Sequence, residues 1–245
     1  MSFDLYKKII DEAATIPLIE RLTITGLGEP TLDPGLWEKI QYAHKAMHPK
    51  LEIDVYTNGS TLTDEMLHRF QKAGLSGLYV SVNGVDRLKR REIMGLDDYD
   101  RLEPVLLKAI KDGIGNMKLT IAAVQEKDLF DGEEVMAFLK KWGGPYNQEG
   151  GHAFLHLEGN WAGWNYPVRT TQRNVCCRCT NHIMILVDGR VCLCCQDFEG
   201  LIIFGDLNNE TLRDIYQKDE YVNYRQKQFE GKRGELNLCK TCTMI

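Results

Sequence analysis

All eight cysteines of this 245-residue chain fall in two places. Cys176, Cys177, Cys179, Cys192, Cys194 and Cys195 lie close together, and Cys239 and Cys242 follow near the C-terminal end. None precedes residue 176. Thiols that merely fill a core have no reason to segregate in this way, whereas thiolates that share a soft metal centre must. Cys239-x2-Cys242 is a short chelating pair, and four thiolates close a site for either zinc or an iron–sulfur cluster. Spacing alone leaves both open.

A second group of candidates lies in the first two-thirds of the chain. Gly26-Leu27-Gly28-Glu29-Pro30, Thr57-Asn58-Gly59, Asn83-Gly84 and Glu158-Gly159-Asn160 are polar, turn-forming clusters, and each follows an apolar run. Those runs predict strands over 21–25, 51–56, 77–82, 117–124 and 152–157. Helical periodicity fills the gaps, over 3–14, 36–47, 64–73, 99–111 and 133–142, with Thr63 as an N-cap. Strand and helix in alternation predict a parallel α/β sheet or barrel. Working residues in such folds sit at the C-terminal ends of the strands, where these clusters fall. In the last strand a period of two puts His152, Phe154, His156 and Glu158 in one phase and Ala153, Leu155 and Leu157 in the other. His156 and Glu158, nearest the strand end, are the catalytic candidates, for binding or proton transfer. With Gln125 they suit a hydroxylated or amide-bearing substrate; histidines satisfied by hydrogen bonds in a core are the alternative.

Beyond this point the pattern changes. Residues 159–175, with Trp161 and Trp164, read as an ordered linker. Asp188-Gly189 between 182–187 and 190–195 predicts a hairpin. A third strand is expected over 200–205, then one long helix over 211–229 capped by Asn209 or Thr211. The hairpin can bring Cys176–Cys179 and Cys192–Cys195 toward one place, since strands rise ~3.3 Å per residue and pair at ~4.8 Å, and Cys239 and Cys242 can supply two more ligands. Two domains are expected, 1–160 and 161–245. The net charge of −5 argues against a general nucleic-acid binder. Lys89-Arg90-Arg91 with Arg87 is a local basic cluster, either a solvated face or a phosphate contact. The chain shows no signal peptide and no apolar run long enough to span a membrane, so the cysteines are expected as reduced, metal-bound thiols in the cytoplasm.

Taken in order, these motifs resemble the radical S-adenosylmethionine (radical SAM) superfamily, in its members with a C-terminal SPASM or twitch module. Cys179-x9-Gly189-x4-Cys194 matches the Cys-x9–15-Gly-x4-Cys signature of that module. Asp188-Gly189-Arg190-Val191, Cys194-Cys195-Gln196-Asp197 and Phe204-Gly205-Asp206-Leu207 look like its hairpin and following turn. Thr25 to Pro30 looks like the family's GGEP-type motif. The resemblance implies a (β/α)6-type barrel lacking its first strand, followed by a small hairpin-and-helix module. It implies SAM binding by Gly26, Gly28, Glu29 and Pro30 at the methionyl amine, and by Thr57, Asn58, Ser81 and Asn83 where ribose and carboxylate contacts lie. It further implies one auxiliary [4Fe-4S] cluster on Cys194, Cys239 and Cys242, with Cys176 and Cys179 competing as first ligand. Cys177, Cys192 and Cys195 are then small buried hydrophobes.

One family feature is missing, the Cys-x3-Cys-x2-Cys loop that holds the SAM-cleaving cluster. Met1 to Tyr6 looks like the segment just after that loop. The chain is therefore expected to begin late, through an upstream start, a split gene or loss of the loop, and not to cleave SAM by itself. The activity implied is hydrogen abstraction by an oxidoreductase or maturase acting on a small molecule or peptide. The alternative is a non-catalytic zinc or iron–sulfur scaffold. A partner protein or a second copy at the open barrel edge is also expected.

Overall fold

The structure, a computed structural model, describes residues 1–26, 28–47, 51–125, 132–145, 148–157, 176–197 and 199–242. In chain order the elements are α1 (Phe3–Ala14), β1 (Arg21–Ile24), α2 (Leu36–Ala46), β2 (Glu52–Thr57), α3 (Asp64–Ala73), β3 (Gly77–Ser81), α4 (Arg87–Met94), α5 (Tyr99–Asp112), β4 (Lys118–Gln125), α6 (Gly132–Lys141) and β5 (Ala153–Leu157). Then come α7 (Arg178–Asn181), β6 (Met184–Ile185), β7 (Arg190–Cys192), β8 (Ile203–Asp206), α8 (Leu212–Gln217) and α9 (Asp219–Phe229). They form two compact units. Pro17–Glu158 is one, and Met1–Ile16 with Gly159–Ile245 is the other.

The first unit is an α/β fold. Its five strands are parallel and stand in the order β1-β2-β3-β4-β5, the strand–helix succession of a partial barrel. Register sorts the side chains by phase. Ile53 and Val55, Leu78 and Val80, and Leu119 and Ile121 are all buried in one phase. They form the core with Ile40, Phe70, Leu102 and Leu106 of the helices. Each such side chain contributes about 1.5–3 kcal/mol through the water it sheds. The other phase is polar and aromatic. Asp54, Tyr56, Tyr79, Thr120 and Ser81 lie in it, and the rings of Tyr56 and Tyr79 stack with centroids 4.4 Å apart.

In the second unit β6, β7 and β8 form an antiparallel sheet around the Asp188-Gly189 turn. Both hairpin strands are shorter than the sequence predicts, and the pairing of β7 with β8 is irregular at Val191/Cys192. The long helix expected over 211–229 is two helices. Lys218 between them is extended (φ −59°, ψ 137°). Its ammonium donates to the Phe204 carbonyl at 2.9 Å and pairs with Glu210, which holds the chain out of helical geometry. Thr211 caps α8. The expected linker 159–175 lies outside the described residues.

Helix α1 keeps its expected bounds, starts on a Ser2 cap and belongs to this second unit. Lys8 donates to the carbonyls of Leu207 (2.6 Å) and Glu210 (2.9 Å). The Glu12 carboxylate accepts the Leu212 N–H, at the first turn of α8, at 2.7 Å. At Gly189 (φ 97°) a Cβ would lie 2.9 Å from Leu5 Cδ2 and 2.8 Å from Asn208 Nδ2, so the turn admits only glycine.

Candidate functional site

In the sheet unit, three of the sequence clusters meet at the strands' C-terminal ends. Glu29 follows β1 and caps the short turn Pro30–Leu32. Its Oε1 accepts the Thr31 N–H (3.0 Å), the Thr31 hydroxyl (2.6 Å) and the Thr57 hydroxyl (2.5 Å), and its Oε2 accepts the Asn58 N–H (2.7 Å). A carboxylate offers about four acceptor sites, so only Oε2 has room for a further donor. Glu29 thus staples the end of β1 to the end of β2. Gly26 and Gly28 of the same turn have open space where a Cβ would stand, and Pro30 opens the turn.

A second staple was not legible as such. Arg90 on α4 is 0% exposed. Its guanidinium donates to the carbonyls of Asn58 (2.7 Å), Ser81 (3.1 Å) and Val82 (2.9 Å), and to both carboxylate oxygens of Asp98 (2.6 and 3.2 Å). It joins the ends of β2 and β3. The basic cluster is therefore neither a solvated face nor a phosphate site at this residue. Arg87 pairs with Asp97 and Asp100, and Lys89 with Glu92 and Glu134. Asp86 as cap and Gly95 as stop were the sequence signals for this helix. Asn83 follows β3 with a left-handed φ of 51°, and its N–H donates to Ala122 at 3.1 Å. Glu29 and Arg90 together bring Thr57, Asn58 and Ser81 to one end of the sheet.

His156 lies opposite Val124 in β5, whereas Gln125 lies opposite Leu157. The expected shared face of Gln125 and His156 falls on side chains outside those described. Glu158 lies outside the described residues.

In the second unit the cysteines divide. Cys192 is buried as expected, but Cys177 and Cys195 are exposed rather than buried. Cys195 Sγ accepts from Arg178 Nη1 at 2.9 Å, a bond that holds it at the surface. Cys179 on α7 is 2% exposed. Burial pushes its thiol up to about 12, with Cys239 and Cys176 adding to the effect. Burial likewise raises Cys194 to about 12, helped by Cys195 and Cys239, and Cys239 to about 11, helped by Cys242 and Cys176. Thiols from different stretches of chain therefore feel one another in pairs: Cys176 and Cys239 act on Cys179, Cys195 and Cys239 on Cys194, and Cys242 and Cys176 on Cys239. Among the described residues no three Cys, His, Asp or Glu side chains form a group that could hold a metal ion.

The surroundings of these thiols are polar donors. Cys239–Thr241 is a short turn that sets Cys239 and Cys242 at its two ends. Leu238 enters it at a left-handed φ of 66°. Arg233, 4% exposed, donates to the carbonyls of Cys239 (3.1 Å) and Cys242 (2.8 Å). Gln228 reaches Cys239 Sγ at 3.4 Å. Asp197 closes the loop after Cys194 by accepting the N–H groups of Leu201 and Ile202. All eight thiols are unpaired. By chemistry the donor set, thiols outside any disulfide with an amide at one sulfur, suits a soft metal that displaces their protons, while among the described residues the side chains are not gathered into a coordinating group.

The sequence model of the radical SAM superfamily matches residues 1–139. The chain belongs to the radical SAM superfamily. Residues 176–243 match SPASM, an iron–sulfur cluster-binding domain. Radical SAM proteins of this kind share the fold. The crystal structure of BtrN in complex with AdoMet and 2-DOIA superposes with a TM-score of 0.67 at 19% identity, over 100% of this chain and 81% of that one. Native anSMEcpe with bound AdoMet gives 0.68 at 14% identity, over 99% and 79%. Among curated proteins, the S-adenosyl-L-methionine-dependent 2-deoxy-scyllo-inosamine dehydrogenase of Niallia circulans is 22% identical over 241 residues, 98% of this chain and 80% of that protein. The tungsten-containing aldehyde ferredoxin oxidoreductase cofactor-modifying protein of Pyrococcus furiosus is 32% identical over 83 residues, 34% of this chain and 22% of that protein. Among the described residues of the radical SAM chain no helix is long and apolar enough to cross a membrane.

Proposed function

We propose that this radical SAM chain works in the SAM-dependent oxidation of a small hydroxylated molecule, with one auxiliary [4Fe-4S] cluster on Cys194, Cys239, Cys242 and either Cys176 or Cys179. The observation that carries it is the match of residues 176–243 to an iron–sulfur cluster-binding domain, a stretch that holds all eight cysteines. The likeness over nearly the whole chain to a SAM-dependent dehydrogenase supports the reaction class. When bound, the auxiliary cluster would take up the second electron of such an oxidation. The chain's own part is to seat SAM at Gly26, Gly28, Glu29, Pro30, Thr57, Asn58, Ser81 and Asn83, with His156 and Glu158 as candidates for receiving the hydroxyl proton. Unpaired thiols suit the reducing cytoplasm.

No cysteine precedes Cys176, so SAM cleavage needs three further thiolates that these residues do not supply. A second reading is a scaffold or partner subunit holding a cluster or zinc. The end position of β1 in the strand order offers an edge for a companion chain. Anaerobic reconstitution tests both. The first reading expects about four iron and four sulfide per chain, and 5′-deoxyadenosine once a polypeptide bearing the Cys-x3-Cys-x2-Cys loop is supplied. One tightly held zinc, with no visible absorption, would leave only the scaffold.

A further inference from the structure

We propose that Gln228 is a positioning residue that hydrogen-bonds the cluster-bound Cys239 sulfur and raises the reduction potential of the auxiliary cluster. This rests on the cluster reading above. Gln228 is 0% exposed and lies on the buried face of α9 with Tyr221 and Tyr224. Both tyrosines pack on Phe204, at centroid distances of 4.0 and 5.4 Å. An amide on so apolar a face is tolerated only if both ends are bonded. Its Oε1 accepts the Cys176 N–H at 3.0 Å. A backbone N–H can only donate, so that bond fixes which way round the amide sits and turns its NH2 toward sulfur. Nε2 then lies 3.4 Å from Cys239 Sγ. Gln228 therefore grips the start of the first cysteine segment and a thiol of the last.

An N–H donor to a cluster thiolate stabilises the reduced state more than the oxidised one, because reduction adds negative charge that the sulfurs share. Arg233 makes the contrast. It reaches Cys239 and Cys242 through their carbonyl oxygens, so it shapes the turn without touching sulfur.

The test compares wild type with Gln228→Glu and Gln228→Leu after anaerobic reconstitution, by iron and sulfide content and by an EPR-monitored redox titration. Gln228→Leu removes the donor without adding charge and so carries the test of the potential, whereas Gln228→Glu keeps the side-chain length and the acceptor for Cys176 but brings a carboxylate whose charge lowers the potential by itself. Both variants should keep their iron, and both midpoint potentials should shift to more negative values. Loaded variants with the wild-type potential would overturn the inference. So would loss of iron from Gln228→Glu while wild type stays loaded, since the amide would then serve assembly. Wild type that takes up no iron would overturn the cluster reading itself, and the inference with it.

Discussion

A thiol buried away from water holds its proton until a metal or a cation takes its place. The cysteines of this chain can be ranked on that basis. Cys194 and Cys239 are raised by burial and by neighbouring thiols, so they are placed to be ligands and need a metal to ionise at neutral pH. Cys192 is raised by burial to about 12, but its Sγ is turned to the Cys194 carbonyl at 3.7 Å. Cys194→Ser, Cys239→Ser and Cys242→Ser should each lose most of the bound iron, whereas Cys177→Ser and Cys192→Ser should keep it. Iron content per chain measures this, and equal loss from all five variants would defeat the ligand assignment.

Asp54 gives a residue-scale prediction in the sheet unit. It is 4% exposed, and its Oδ1 lies where a Cβ on Gly77 would stand, at 2.3 Å. Arg21 approaches Oδ2 to 3.2 Å, yet outside hydrogen-bond geometry, and Oδ2 has no hydrogen-bond partner. Burial raises the pKa of Asp54, and Arg21 offsets only part of that. A carboxyl raised on folding favours its neutral form, so its contribution is favourable at low pH and lost as pH rises through the folded pKa. Asp54→Asn should therefore raise the melting temperature at pH 7, by about 2–4 °C for ~1 kcal/mol. The gain should vanish in acid, where Asp54 is already neutral. Thermal scans across pH would refute this if the gain were the same at every pH.

At the scale of elements, the ends of β1, β2 and β3 are held by two charged side chains, the half-buried Glu29 and the buried Arg90, rather than by strand pairing alone. Arg90→Met would strand the Asp98 carboxylate and three carbonyls, a loss of about 3–5 kcal/mol. Lysine should recover little, because one ammonium cannot reproduce a planar fork that meets a carboxylate and three carbonyls at once. Denaturant unfolding would register both. If SAM sits at the proposed site, its affinity should fall with stability in both variants, since Asn58 and Ser81 lose their anchor. An Arg90→Met protein as stable as wild type would contradict the staple.

Elements with strong local signals were legible in sequence. The bounds of α1 and α3 follow from Ser2 and Thr63 caps, and α3 ends at Gly74 in a left-handed conformation. Local rules failed where distant contacts decide. Nothing near Lys218 announces that Phe204 and Glu210 will hold it out of a helix. Similarly, a run of basic residues does not reveal that Arg90 turns inward. The register of β4 on β5, with Val124 opposite His156, is a tertiary property. Segregation of the cysteines was visible, but which of them face solvent was not, because residue type sets only an average burial.

At the scale of the whole molecule, chain order and spatial unit diverge. The first helix of the sequence is built into the cysteine-rich unit, with a strand–helix sheet of more than a hundred residues between them in the chain. Three contacts make the join: Lys8 on two carbonyls after β8, Glu12 on the first turn of α8, and Leu5 against the Gly189 turn. The first two satisfy groups that a loop and a helix N-terminus otherwise leave to water, and each involves a charge, so each is worth about 1.5–3 kcal/mol. Lys8→Met with Glu12→Met should therefore loosen the cysteine-rich unit selectively. The Leu212 amide, whose acceptor is Glu12, should exchange with deuterium at least about ten times faster, the factor that ~1.4 kcal/mol represents. Amides of β2, β3 and β4 should keep their wild-type rates, since their ladder lies wholly within the other unit. Uniform acceleration across both units would mean that the chain unfolds as one cooperative body. An unchanged rate at Leu212 would mean that α1 adds nothing to the module it rests on.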